Sequence, residues 1–207
     1  MSSSCCCPMT LYRGHGRAQN CRHAAPGVLY LPSVAGGFVT GTTAALLGAP
    51  DWGQLAFGAA LFSWLAIESV LLHRLYTGPV MPAPLRPTLG IQLAPPVVGA
   101  VAYLAVSGGT PDIFAHALIG YGLLQALLLL RMLPWIFEQG FSMGYWAFTF
   151  GATALAAATL RLAINGDQGA TATLAPWLFV AANFVMVAIA FGTLRLALKG
   201  RLLPNSL

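Results

Sequence analysis

The pattern of apolar and polar positions divides the chain near residue 27. The first 26 residues are polar, basic and irregular. Six apolar stretches follow, at about 28–48, 54–75, 86–106, 112–135, 144–164 and 174–197. Each is close to the ~20 residues a helix needs to cross hydrocarbon. With no water in a bilayer core, only helices or closed barrels satisfy the backbone. Runs this long and unbroken predict helices, and the short segments between them predict antiparallel hairpins. The expected organisation is a disordered tail over 1–26, a transmembrane helical domain over 27–200 and a second short tail over 201–207.

The stretches are not alike. The first carries Pro32, Gly36, Gly37 and Gly41, and the third carries Pro87, Gly90, Pro95, Pro96 and Gly99. The fifth carries Gly144 and Gly151, whereas even-numbered stretches such as LLQALLLLRMLPW (123–135) are plainly greasy. Pro95 and Pro96 lack amide hydrogens, so a continuous helix would leave the carbonyls of Ile91 and Gln92 without helical partners. Such carbonyls are tolerated only inside protein or beside a water-filled cavity. The alternation predicts an inner ring of odd helices lining a path and an outer ring of even helices facing lipid.

The fifth stretch, GYWAFTFGATALAAATLR, shows the device most clearly. Gly144, Ala147, Gly151, Ala154 and Ala158 share one face, where neighbouring backbones can approach closely. A second stripe runs Phe150, Ala154, Ala157, Arg161, with ~16 Å of helix between its ends. An aromatic, small residues and a cation on one stripe suit a narrow anion path. They equally suit ordinary packing with an arginine snorkelling to the headgroups. The glycines at 36, 37, 90, 99 and 151, like Pro95 and Pro96, either leave room for an anion or let helices pack closely.

Composition supports the membrane reading. The 207 residues are 57% hydrophobic and 7% charged, against about 25% charged in a soluble domain. The net charge of +5 is therefore read through its distribution rather than as a sign of nucleic acid. Asp51, Asp112 and Asp167 fall in connections on one side. Arg74, Arg86, Arg131, Lys199 and Arg201 fall on the other, with Arg13, Arg17 and Arg22 of the tail. The positive-inside rule then puts both termini in the cytoplasm. Cys5, Cys6, Cys7 and Cys21 all lie in the tail and form no zinc spacing, so neither metal nor cofactor is expected.

The lone polar residues have two readings each. Glu68 is buried in the second stretch, where an isolated carboxylate is costly. It serves either proton coupling or a structural hydrogen bond, and His73 and Arg74 are near in sequence but poorly aligned with it. His116 and Asn183 predict hydrogen bonds between helices. An intramembrane enzyme built on Glu68, His73 and His116 finds no catalytic spacing to support it, and no nucleotide loop or nucleophile–base pair is present.

The runs LYLPSVAGGFV (29–39), FSWLAIESVLLHRLY (62–76), LRPTLGIQLAPPVVGAVAYL (85–104), DIFAHALIGYGLLQALLLLR (112–131) and YWAFTFGATALA (145–156) closely resemble the TehA branch of the tellurite-resistance/C4-dicarboxylate transporters, which is related to plant slow anion channels. The resemblance implies an all-α integral membrane fold, six transmembrane helices corresponding to the fifth through tenth of a ten-helix quasi-fivefold bundle. It implies pore-lining odd helices, homotrimers in the bacterial inner membrane, and transport of small inorganic anions or dicarboxylates. It places the pore-plugging phenylalanine at Phe150. The alternative expectation is a truncated, non-transporting remnant without the first four helices.

Overall fold

The computed structural model describes residues 31–200, so the two tails and their cysteines lie outside the described residues. A π-helical turn, Leu31–Ala35, leads into α1 (Gly36–Leu46). Then come α2 (Pro50–Thr77), a 3-10 stretch (Ala83–Leu93) running into α3 (Ala94–Val106), α4 (Ile113–Ile136), α5 (Trp146–Ile164) and α6 (Ala170–Leu198). Among the described residues there is no β-strand. Five helical segments, all but the first, are long and apolar enough to cross a membrane. The chain is a multi-pass membrane protein. The first predicted span is shorter than expected. Its described part covers 31–46, and residues 28–30 lie outside the described residues.

Consecutive helices pack side by side, α1 on α2, α3 on α4 and α5 on α6, while α3 also touches α1 and α5. The segment Ala83–Val106 is central, 67% buried over its most apolar window, against 17% for α6 and 28% for α2. The central segment is thus the inner element, while α5 at 39% is buried little more than α4 at 33%. Trp177, Phe184, Val187 and Phe191 of α6 are left facing outward.

Small residues set the spacing. A Cβ added at Gly53 of α2 would lie 2.8 Å from the carbonyl oxygen of Gly41 in α1, and one at Gly37 would lie 2.7 Å from the Cβ of Ala60. The small face of α5 does the same work against the central segment. Cβ atoms at Gly144 and Gly151 would meet Pro87 at 3.2 Å and Leu93 at 2.7 Å.

The central segment departs from the expected continuous helix. Its first eleven residues are 3-10, a form with bonds between residues three apart. Pro95 and Pro96 thereby fall in the first turn of α3, where a missing amide hydrogen is harmless. The Ile91 carbonyl is not orphaned, because it accepts from the amide of Ala94. The prolines mark a change of helix type rather than a gap in one helix.

Candidate functional site: an apolar trough between alternate helices

Between α1, α3 and α5 lies a trough of about 380 Å³. Its wall is Val39, Thr42 and Thr43 from α1, Val98 and Val101 from α3, and Phe150, Thr153, Ala154 and Ala157 from α5. The even-numbered helices contribute nothing to it. Helical periodicity explains the α5 contribution, since Phe150, Ala154 and Ala157 are the predicted stripe. Phe150 is 46% exposed and stands in the trough. A smaller apolar cavity, with Val34, Phe38 and Pro95 in its wall, also borders its ring.

The trough is uncharged. Its polar groups are three threonines whose hydroxyls donate to their own helix. Thr42 donates to the Phe38 carbonyl at 3.0 Å, Thr43 to Val39 at 2.9 Å and Thr153 to Thr149 at 2.8 Å. Their protons are therefore tied back to the backbone. No array of free donors stands ready to fix an anion at one point, and the wall meets a passing solute with methyl groups and hydroxyl oxygens.

Other predicted residues stand elsewhere. Arg161 is exposed in the last turn of α5, beyond the trough's lining. A Cβ at Gly90 would lie 2.5 Å from the Phe148 ring and one at Gly99 would lie 3.1 Å from the Phe38 ring, so these two glycines face neighbouring side chains, as do Gly37 and Gly151. Gly36 is exposed at the start of α1, where its carbonyl accepts from Thr40 at 2.8 Å. Pro96 is fully buried, and Pro95 lines the small cavity. Asn183 bonds within its own helix, to the Phe179 carbonyl at 2.8 Å, and is exposed. It makes no bridge between helices, because α6 presents that face outward.

Glu68 is buried in α2 and accepts from three side chains. Trp64 donates to Oε2 at 3.2 Å, and Tyr121 and Gln125 both donate to Oε1 at 3.1 Å. The tyrosine and glutamine come from α4. His73 and Arg74, near in sequence but poorly aligned with Glu68, stand exposed further along α2. The carboxyl thus joins two helices through neutral donors.

Each end of the bundle has its own polar fastening. At one end Asp112 caps α4, its Oδ1 accepting from the Ala115 amide at 2.8 Å while the Tyr103 hydroxyl of α3 donates to its Oδ2. These bonds, the tyrosine's above all, hold the Asp112 carboxyl below the usual carboxylate range. The His116 ring lies between the Asp112 carbonyl, 2.6 Å from Nδ1, and Asp167 Oδ2, 3.3 Å from Nε2. It ties α4 to the α5–α6 turn. At the other end Arg86 pairs with Glu138, donates to the Trp135 carbonyl at 3.1 Å and lies 4.2 Å over the Trp135 ring. The sequence showed Arg86 only as an orienting charge, since its partners lie about fifty positions away. Phe38 was not singled out either; its only signal was an aromatic in a glycine-rich helix. Among the described residues no cluster of His, Cys, Asp or Glu could hold a metal ion.

An apolar, membrane-embedded trough walled by alternate helices has a counterpart in sequence. The family model described as SLAC1, voltage-dependent anion channel, matches residues 1–194. The chain belongs to the SLAC1 family. A tellurite resistance protein TehA homologue from Haemophilus influenzae is 46% identical over 127 residues, which are 61% of this chain and 38% of that protein. The S-type anion channels SLAH2 and SLAH3 of Arabidopsis thaliana are 27% and 28% identical over 84% of this chain, and over 33% and 28% of their own lengths. This SLAC1-family chain thus spans about a third of the length of the curated relatives it matches.

Proposed function

We propose that this chain forms part of an anion-conducting channel or transporter, with the trough between α1, α3 and α5 as one side of the path and Phe150 as its gate. The observation that carries the reading is that alternate helices alone line the trough and that a half-exposed aromatic ring stands in it. A phenyl ring in a narrow apolar path stops hydrated ions by bulk and by dewetting. The relatives named as S-type anion channels supply the permeant class. Small inorganic anions or dicarboxylates pass by exchanging part of their hydration for a wall without free donors. Selectivity then follows path width and a weak positive field, to which Arg161 contributes at the mouth. Tellurite resistance, named for the Haemophilus relative, would follow indirectly from transport.

The proposed setting is a bacterial inner membrane, with six spans, both termini cytoplasmic and three copies associated. The clustering of Asp51, Asp112 and Asp167 away from the arginines supports the orientation. A second reading, a membrane module that does not itself transport, has in its favour that Val39 and Phe150 leave the trough open along one side. Anion flux into proteoliposomes tests both. This chain and Phe150→Ala are compared, each alone and fused behind the N-terminal helices of a full-length relative. The gate reading expects Phe150→Ala to raise flux; equal flux in both fused forms refutes it. Flux confined to the fused forms favours the second reading for the chain alone.

A further inference from the structure

The second space that borders Phe150 is small. It measures about 20 Å³, and on such a scale about 10–15 Å³ holds a single water. A six-carbon ring does not fit. Its lining carries no polar side chain, so a water there would find no side-chain partner. One wall is Phe38, whose ring has no exposed surface. Phe38 is itself wedged. Its centroid lies 5.6 Å from that of Phe57, and a Cβ at Gly99 would sit 3.1 Å from its Cζ. The glycine is what lets the Phe38 ring come this close to α3.

We propose that Phe38 is a positioning residue for the Phe150 ring: by filling the wall of the small cavity that borders that ring, it keeps the ring standing in the trough. This rests on reading Phe150 as the gate. Aromatic side chains in helices exchange between two χ1 wells. A ring turning from the trough toward the small cavity would therefore enter space that Phe38, Val34 and Val98 already line. Forcing it there pushes neighbours off their rotamers, as overpacking does in any dense interior. Shrinking Phe38 opens the retreat, whereas a methyl at Gly99 presses Phe38 and cannot open it.

The test places 4-fluorophenylalanine at position 150 of the full chain in lipid nanodiscs and reads its fluorine resonance. The chain with Phe38 intact is expected to give one environment. Phe38→Leu is expected to add a second resonance or broaden the first by exchange, and Gly99→Ala to leave one. If Phe38→Leu fails to fold, Val34→Ala enlarges the same space from the π-helical turn and should give the same second environment. A single unshifted resonance in the folded Phe38→Leu or Val34→Ala chain overturns the proposal. Flux is measured in parallel in the fused form. Phe38→Leu should raise it several-fold with Phe150 present and leave it unchanged in a Phe150→Ala background. A new resonance with no flux response to Phe150→Ala would sink the gate and leave the positioning of the ring standing.

Discussion

Two glycines on α2, five residues apart, receive opposite surroundings. A Cβ at Gly53 would lie 2.8 Å from the Gly41 carbonyl oxygen and 3.0 Å from Val106 Cγ1, whereas one at Gly58 meets nothing within 4 Å. The Gly41 oxygen belongs to the backbone and cannot swing aside, so Gly53→Ala must push α1 away from α2. Overpacking of this kind costs about 1–3 kcal/mol. Replacing glycine by alanine in a helix also returns up to ~1 kcal/mol of propensity. That gain is to first order common to both positions, because both lie within the same helix. The difference between Gly53→Ala and Gly58→Ala therefore isolates the steric term. Gly58→Ala should be neutral or slightly stabilising, and Gly53→Ala should fall about 1–3 kcal/mol below it. Thermal unfolding of the two purified variants in the same detergent measures the gap. Equal midpoints would show that α1 is not held against α2 by backbone contact, and the α1 wall of the trough would lose its footing.

Three further outcomes are expected. Tyr121→Phe removes one of the donors to buried Glu68 and should lower stability by about 1–3 kcal/mol; an unchanged unfolding midpoint would count against the α2–α4 link. Arg86→Lys keeps the charge opposite Glu138 but loses the planar stack on Trp135, so it should destabilise the protein, and Trp135 fluorescence should shift with it if the ring becomes wetter. For Asp112, whose folded carboxyl titrates below its ordinary value, the stabilisation is complete above the usual carboxylate range and fades as pH falls through the lowered folded value. Tyr103→Phe should therefore be less stable than the parent at neutral pH, with the gap closing on acidification below about pH 4; a gap that stays constant from pH 7 to pH 3 would contradict the assignment.

What the sequence made legible was whatever depends on local period and length. The apolar runs located α2 and α4 to α6 within a few residues, apart from the early start of α2 at Pro50. The stripe Phe150, Ala154, Ala157 faces the trough because 3.6-residue periodicity is a property of α5 alone. What stayed hidden depends on two segments meeting. Glu68 finds Tyr121 and Gln125 at separations of 53 and 57 residues, and His116 finds Asp167 at 51. No spacing rule announces such pairs. The glycines were ambiguous for the same reason, since what fills the place of a missing side chain belongs to the neighbour. The pair Pro95–Pro96 suggested interruption and could not say that a 3-10 stretch would absorb it.

That junction of helix types sets how far the central wall reaches. A 3-10 helix rises ~2.0 Å per residue and an α-helix 1.5 Å, so the eleven residues of Ala83–Leu93 reach ~5 Å further than the same number would in α form. Pro95 and Pro96 keep α3 from extending back past Ala94, because neither can donate the α-helical bond to Ile91 or Gln92 that the extension would need. Phe150 shares the small cavity with Ile91, Ala94 and Pro95. The ring thus leans on the junction itself, the level at which the tighter helix gives way to the wider one.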